Sequence, residues 1–176
     1  MLWNRMAHRN LVILTGAGVS AESGVPTFRA DDGLHDRAHA ATPPAPGFDL
    51  IHMHGELLKA HCTGTGRVCD WPGDLAVHEP SPHHPQGRLR PHIVWFGEMP
   101  LHMARIEAAL AACDLFVAIG TSGAVWPAGG FVEAARAAGA RTVELNLAPT
   151  GRGRFDEGLY GPATEVVPAF VAALLS

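Results

Sequence analysis

Apolar residues gather into short unbroken runs at the front and in the second half of the chain, and disperse between them. The first run, "LVILTGAG", is rich in β-branched residues and closes on glycines, which predicts a buried strand over residues 11–15 feeding a tight turn. Residues 30–46 and 64–91 are loaded with Pro, Gly, Asp and His and hold no period of 2 or 3.6, so they read as long loops. Order returns after Pro91. "HIVWFGE" predicts a strand, residues 101–112 a helix with Ile106, Ala109 and Leu110 on one face, and "DLFVAIGTS" a second fully buried strand. Pro127 stands where a helix N1 proline belongs and Gly139 at its C′ position; "RTVELN" is the next strand and "VPAFVAALLS" a closing helix. Strands alternating with helices predict a parallel α/β sheet with right-handed crossovers.

Composition narrows this picture. With 176 residues, 47% of them hydrophobic, the chain can bury one sizeable core, and the expectation is a single domain over residues 1–176 with an irregular insert at about 60–91. Thirteen Lys+Arg against 17 Asp+Glu give a net charge of -4, without the basic excess that binding to a phosphate backbone requires, so nucleic acid is excluded as a partner. Three cysteines without a C-x-x-C do not make a disulfide framework, and no run has the length of a signal-peptide core or a membrane span. A cytoplasmic location follows as the expectation.

Candidate chemistry lies at the carboxyl ends of the strands, where such sheets bind ligands. Gly16, Ala17, Gly18 and Ala21 satisfy G-x-G-x-x-A directly after a strand, which lets backbone N–H groups approach a pyrophosphate. Gly120, Thr121 and Ser122 close the second strand end, and Asn146 the third. Together the three ends outline a nucleotide crevice.

The longer stretch "GAGVSAESGVPTFRADDGL" resembles the NAD-binding signature of the sirtuins, the Sir2-like NAD-dependent protein deacylases. "HMHGE", "VWFGE", "AIGTSGAVWPAGGF", "VELN" and "YGPATEVVP" follow in that family's order, with wording closest to the bacterial CobB and mitochondrial desuccinylase branch. The resemblance implies a Rossmann-like parallel sheet flanked by helices. It implies NAD as the cofactor, with Gly16, Ala17, Gly18, Ala21 and Glu22 around its phosphates and ribose, and Phe28 and Arg29 in the loop that closes over nicotinamide. Gly120, Thr121, Ser122, Asn146, Leu147 and Ala163 fall at positions that hold the adenosine half. His54 falls at the general base. In that chemistry an acyl-lysine carbonyl oxygen attacks C1′ of the nicotinamide ribose and a ribose hydroxyl must then lose a proton, a task suited to a group with a pKa near ~6.5. The implied partners are acyl-lysine proteins or peptides, paired by strand addition against Phe96, Gly97 and Glu98; the implied products are nicotinamide, free lysine and O-acyl-ADP-ribose.

The sequence also departs from the family. Asp49 is followed at once by Leu50, where sirtuins carry a small helical subdomain and a strand ending in Gln-Asn-Ile-Asp, so the small helical and zinc subdomain is expected to be largely missing. The absent Asn and Asp would hold the nicotinamide end, and positioning of that kind is worth roughly 7–11 kcal/mol of barrier. Residues 50–55 are expected to fill the vacant place beside the first strand. The family's zinc is held by four cysteines in two close pairs; here only Cys62 matches, and no zinc is expected, with Cys62 plus His83 or His84 as the alternative. The only Tyr is Tyr160, outside the missing helical piece, so a preference between acetyl and succinyl or malonyl groups does not carry over. Two functions remain: an NAD-dependent lysine deacylase, or a non-catalytic module that binds NAD or ADP-ribose.

Overall fold

The computed structural model describes residues 10–19, 49–151 and 153–176. Where the sequence reads as one domain, the described chain divides into two compact units, one of residues 10–19 and 104–176 and a smaller one of residues 49–103.

The larger unit is built on a four-stranded parallel sheet of β1 (Leu11–Thr15), β5 (Leu115–Ile119), β6 (Arg141–Asn146) and β7 (Glu157–Tyr160), in the order β1-β5-β6-β7. The α/β expectation holds. Every residue of β5 is buried, as is each of residues 142–145 in β6, which is what two faces covered by helices demand of a central strand. On one face Leu115, Val117, Ile119, Val143 and Leu145 pack with Phe170 of α3 (Ala163–Leu175), joined by Val166, Val167 and Leu174. Alternation sends Phe116 and Ala118 to the other face, where they line a small cavity with Val132 of α2 (Phe131–Ala137). The third helix, α1 (Met103–Ala112), buries Ile106 and Leu110, two residues of the predicted apolar face.

Gly139, at φ +91°, follows the C-cap of α2 as its sequence position predicts. The closing helix differs, because α3 begins at Ala163 and carries Pro168 inside it. Proline there removes one backbone bond, and burial of Val166, Val167, Phe170 and Leu174 against β5 and β6 outweighs that loss.

The smaller unit corrects the reading of residues 64–91 as loops. It is a three-stranded antiparallel sheet, order β3-β2-β4, of β2 (Gly55–Cys62), β3 (Val68–Asp70) and β4 (Leu89–Ile93). Its core is small, with Ala60, Cys62 and Leu89 buried and Cys69, Trp71 and Leu75 packed around them. Among described residues 49–102 there is no helix, and turns connect the strands. The "HIVWFGE" segment is strand only as far as Ile93; residues beyond it turn.

A second correction concerns residues 50–55. They form a turn, with Met53 N–H donating to Ile51 O and Gly55 N–H to His52 O, and lead into β2 instead of pairing with β1. Gly55, at φ +86°, is the pivot: a Cβ there would strike the carbonyl of His92, so only glycine lets β2 approach β4 so closely. Among the described residues β1 therefore ends its sheet, with Leu11 and Ile13 exposed. No helix of the described residues is long and apolar enough to cross a membrane.

Candidate functional site

Parallel strands open their carboxyl ends on one edge, and in the larger unit that edge gathers the residues following β1, β5, β6 and β7. Gly16 N–H donates to Ile119 O and Gly18 N–H to Gly120 O, both at 2.9 Å, so the turn after β1 lies backbone to backbone against the turn after β5. A Cβ on Gly16 or Gly18 would stand 2.6 Å from Gly120 O, and Gly120 itself is at φ +60°. Glycines at these three places are thus required by close approach. The same bonds consume two of the N–H groups that the glycine motif suggested for a pyrophosphate. Ala17 and Gly18 face solvent beyond the seam.

Asn146 ties the next two turns together. Its Nδ2 donates to Thr121 O at 2.8 Å, its Oδ1 accepts from Leu147 N–H at 2.9 Å, and its carbonyl accepts from Gly161 N–H at the entry to α3. Thr121 and Ser122 hydroxyls accept from the N–H groups of Gly123 and Ala124, a pair of side-chain turns that holds the "GTS" loop in shape. Leu147 and Ser122 are exposed, and Ala163 opens α3, the helix N-terminus on that edge. The structure thus brings Gly16, Ala17, Gly18, Gly120, Thr121, Ser122, Asn146, Leu147 and Ala163 to one edge. The glycine seam and exposed small residues fit the adenosine half of a dinucleotide. Ala21, Glu22, Phe28 and Arg29 lie outside the described residues.

Two further side chains brace this edge, and sequence reasoning passed over them. Glu144, 2% exposed, accepts from Thr150 N–H, from the Thr150 hydroxyl and from Tyr160 Oη, fixing the loop after Asn146. Burial and the Glu144 carboxylate push the Tyr160 phenol up. Arg154 donates to the carbonyls of Gly123 and Gly129 and to Glu133. Asp156, which accepts from the N–H and hydroxyl of Thr142, lies instead at the opposite edge, at the amino ends of β6 and β7. A lone carboxylate in the apolar run "TVELN" was the available signal for Glu144, since a buried charge must find donors.

In the smaller unit His54 stands at the turn into β2. Its carbonyl accepts from Val94 N–H at 3.0 Å, and the neighbouring Met53 carbonyl accepts from Leu101 N–H at 2.9 Å, so the backbone beneath the imidazole is held from two sides. The residue keeps an exposed side, while partial desolvation pulls its imidazole below the ordinary value and keeps it neutral at pH 7. Residues 96–98 form a turn, closed by Glu98 N–H donating to Trp95 O, and do not present the extended edge that strand addition needs. Glu98 binds the Arg90 guanidinium at 2.7 and 3.1 Å and accepts from Trp95 N–H, which holds its carboxyl below the usual range. Phe96 projects at 87% exposure.

Cys62 is buried at the end of β2. Hydrogen bonds from the Ser81 and Thr65 hydroxyls, and from the Gly64 and Thr65 N–H groups, push its thiol down to about 7. One thiol and two hydroxyls do not make the donor set of a structural zinc site, which takes thiolate, imidazole or carboxylate. Nor do the described residues place three His, Cys, Asp or Glu side chains together to hold a metal. The zinc that the resemblance implies does not fit these residues.

Comparison with known proteins agrees with the fold. The model of the Sir2 family matches residues 16–47 and 44–127. An NAD-dependent protein deacylase of Pasteurella multocida is 42% identical over 228 residues, covering 94% of this chain and 97% of the relative. That of Escherichia coli K12 is 40% identical over 241 residues, with 97% and 84% covered. A crystal structure of a Sir2 homologue with NAD superposes with a TM-score of 0.78 at 26% identity, covering 97% of this chain and 91% of that one. The chain belongs to the Sir2 family. It is also shorter within its length: 94% of 176 residues is about 165, set against 228 aligned positions, so roughly 60 positions of the Pasteurella relative have no counterpart. The two matched pieces of the family model meet at residues 44–47, beside the junction of Asp49 and Leu50.

Proposed function

We propose that the chain is an NAD-dependent protein lysine deacylase whose adenosine-side pocket is complete and whose nicotinamide side is reduced. The relatives' shared activity and family membership support the deacylase reading. The observation that carries it on this chain is the joined edge of Gly16, Gly18, Gly120 and Asn146, where the turns after β1, β5 and β6 are tied together at the carboxyl ends of the strands.

When bound, NAD supplies the electrophilic ribose carbon and the nicotinamide leaving group. The protein's part is to hold the adenosine half at this edge, with Ala17, Ser122 and Leu147 facing it and the helix N-terminus at Ala163 favouring negative charge. His54 is the general base. Its depressed pKa means it meets substrate as free imidazole at neutral pH, ready to accept a proton at a ring nitrogen. Phe96 offers an exposed aromatic surface to an acyl-lysine peptide, with Gly97 and Glu98 shaping the turn that carries it. Acetyl, succinyl and malonyl groups are all candidate acyl groups, and the location is cytoplasmic.

The decisive experiment is nicotinamide release from NAD with an acetyl-lysine and a succinyl-lysine peptide. Release coupled to deacylated peptide, with steady-state turnover that His54→Ala reduces by about 100-fold or more, supports the enzyme. No release above background would leave the second reading, a non-catalytic NAD or ADP-ribose binder, which the missing internal segment favours. Because the retained residues contact the adenosine half, ADP-ribose is expected to bind about as tightly as NAD. A tenfold advantage for NAD in calorimetric titration, about 1.4 kcal/mol, would show that another group holds the nicotinamide.

A further inference from the structure

We propose that a metal-free hydrogen-bonded centre around Cys62 fastens the smaller unit where the family's zinc would be expected, so that this unit folds and persists without metal. The two side-chain pairs have the three-residue spacing of metal-binding knuckles, Cys62 with Thr65 and Ser81 with His84, but only the first is a thiol. Each neighbour is already set by its own backbone. Thr65 Oγ1 accepts from Arg67 N–H at 3.3 Å, Ser81 Oγ from His83 N–H at 3.1 Å, and His84 Nδ1 from Gln86 N–H at 3.2 Å. Those acceptor roles leave the Thr65 and Ser81 hydroxyl protons available to Cys62 Sγ, whose thiol the two hydroxyls push down.

The surrounding chain is shaped for this contact. Ser81 N–H donates to Gly87 O and Gly87 N–H to His84 O, which curls residues 81–87 into a closed loop. A Cβ on Gly87 would stand 2.7 Å from Cys62 Sγ and 3.0 Å from His84 Cβ, so the sulfur occupies space that only glycine leaves open. Gly64 lies against the His84 ring, where a Cβ would be 3.3 Å from Cγ and Nδ1. Thr63 N–H donates to Arg88 O and Arg88 N–H to Thr63 Oγ1, a second tie between the same two turns. The sulfur thus links the β2–β3 turn to the loop before β4 as a metal would, through hydrogen bonds. His83 Nε2, buried with no partner among the described residues, is the nitrogen through which a metal would re-enter if this reading were wrong.

The test begins with the full chain expressed in zinc-supplemented medium and purified without chelator. Metal analysis should find far less than one zinc per chain, and the melting temperature should be the same in EDTA and in excess zinc chloride. One zinc per chain, removed by EDTA with a falling melting temperature, would overturn the proposal. Gly87→Ala should lower the melting temperature by at least about 2–4 °C, and an unchanged melt would equally overturn it. Thr65→Cys combined with Ser81→Cys supplies three thiols beside His84 and should gain one zinc per chain. If that variant stays metal-free, the four side chains do not converge as described.

Discussion

The two units of this chain are stabilised by different means. In the larger, β5 and β6 are apolar and buried along nearly their whole length, and the loops at their ends are tied by backbone bonds between glycines. In the smaller, three strands enclose a small core of Ala60, Cys62 and Leu89 with Cys69, Trp71 and Leu75 packed against it, and polar contacts do much of the fastening: Arg90 with Glu98, Lys59 with Glu56, His61 with His92, and the hydroxyls on Cys62. Burial scales with apolar area, whereas polar ties depend on geometry and on protonation. The larger unit should therefore fail by losing volume and the smaller by losing a position or a proton.

The largest effect is expected in the core of the larger unit. Phe116→Ala removes a side chain that is 1% exposed and should cost about 3–5 kcal/mol in denaturant unfolding, with hydrogen exchange accelerating across β5 and β6. Exchange confined to residues near 116 would mean the sheet is not one cooperative block.

Next is Gly55→Ala, which adds a Cβ against the His92 carbonyl at a φ of +86°. A loss of about 1–3 kcal/mol is expected, read as faster exchange in β2 and β4 while β5 and β6 keep their protection. Equal loosening of both units would erase the distinction between them.

The smallest effect is a pH dependence particular to the smaller unit. His61 Nδ1 and His92 Nδ1 lie 3.4 Å apart, and both imidazoles are pulled below their ordinary value of 6.5, first by burial, with Arg90 adding to this at His61 and Lys59 and His102 at His92. Glu98 and Glu56 act in the opposite sense on the two rings. Depressed histidines mean that the unfolded chain takes up protons first, so stability declines as pH falls through about 6.5 and the decline stops below the folded values. The Glu98 carboxylate, held low chiefly by Arg90, keeps its contribution until pH falls below its ordinary 4.5. Exchange in β2 and β4 should quicken between about pH 7 and pH 5.5 relative to that in β5, and His92→Gln should flatten the response. A parallel response in both units would sink this assignment.

The same contrast explains what could be read from sequence. β5, β6 and Gly139 were legible because a buried parallel strand is an apolar run and a helix end needs a left-handed residue. The smaller unit was not, because β3 and β4 are short, "LRPHI" carries a proline, and the sheet closes through turn bonds such as Leu89 N–H to Glu79 O that leave no period in the chain. At the candidate site the glycines announced themselves through their spacing, while Glu144 and Arg154 work through contacts across the fold that spacing does not encode.

The place of β1 at the end of the strand order bears on how a family member can shorten and still fold. Among the described residues, hydrogen bonding in this sheet passes from neighbour to neighbour, and β5, β6 and β7 draw none of theirs from anything beyond β1. Material excised on the outer side of β1 costs that strand one row of partners and leaves the inner ladders untouched. The same excision between β5 and β6 would cut the sheet in two. Topology, before any selection on activity, thus decides which segment a descendant lineage can discard.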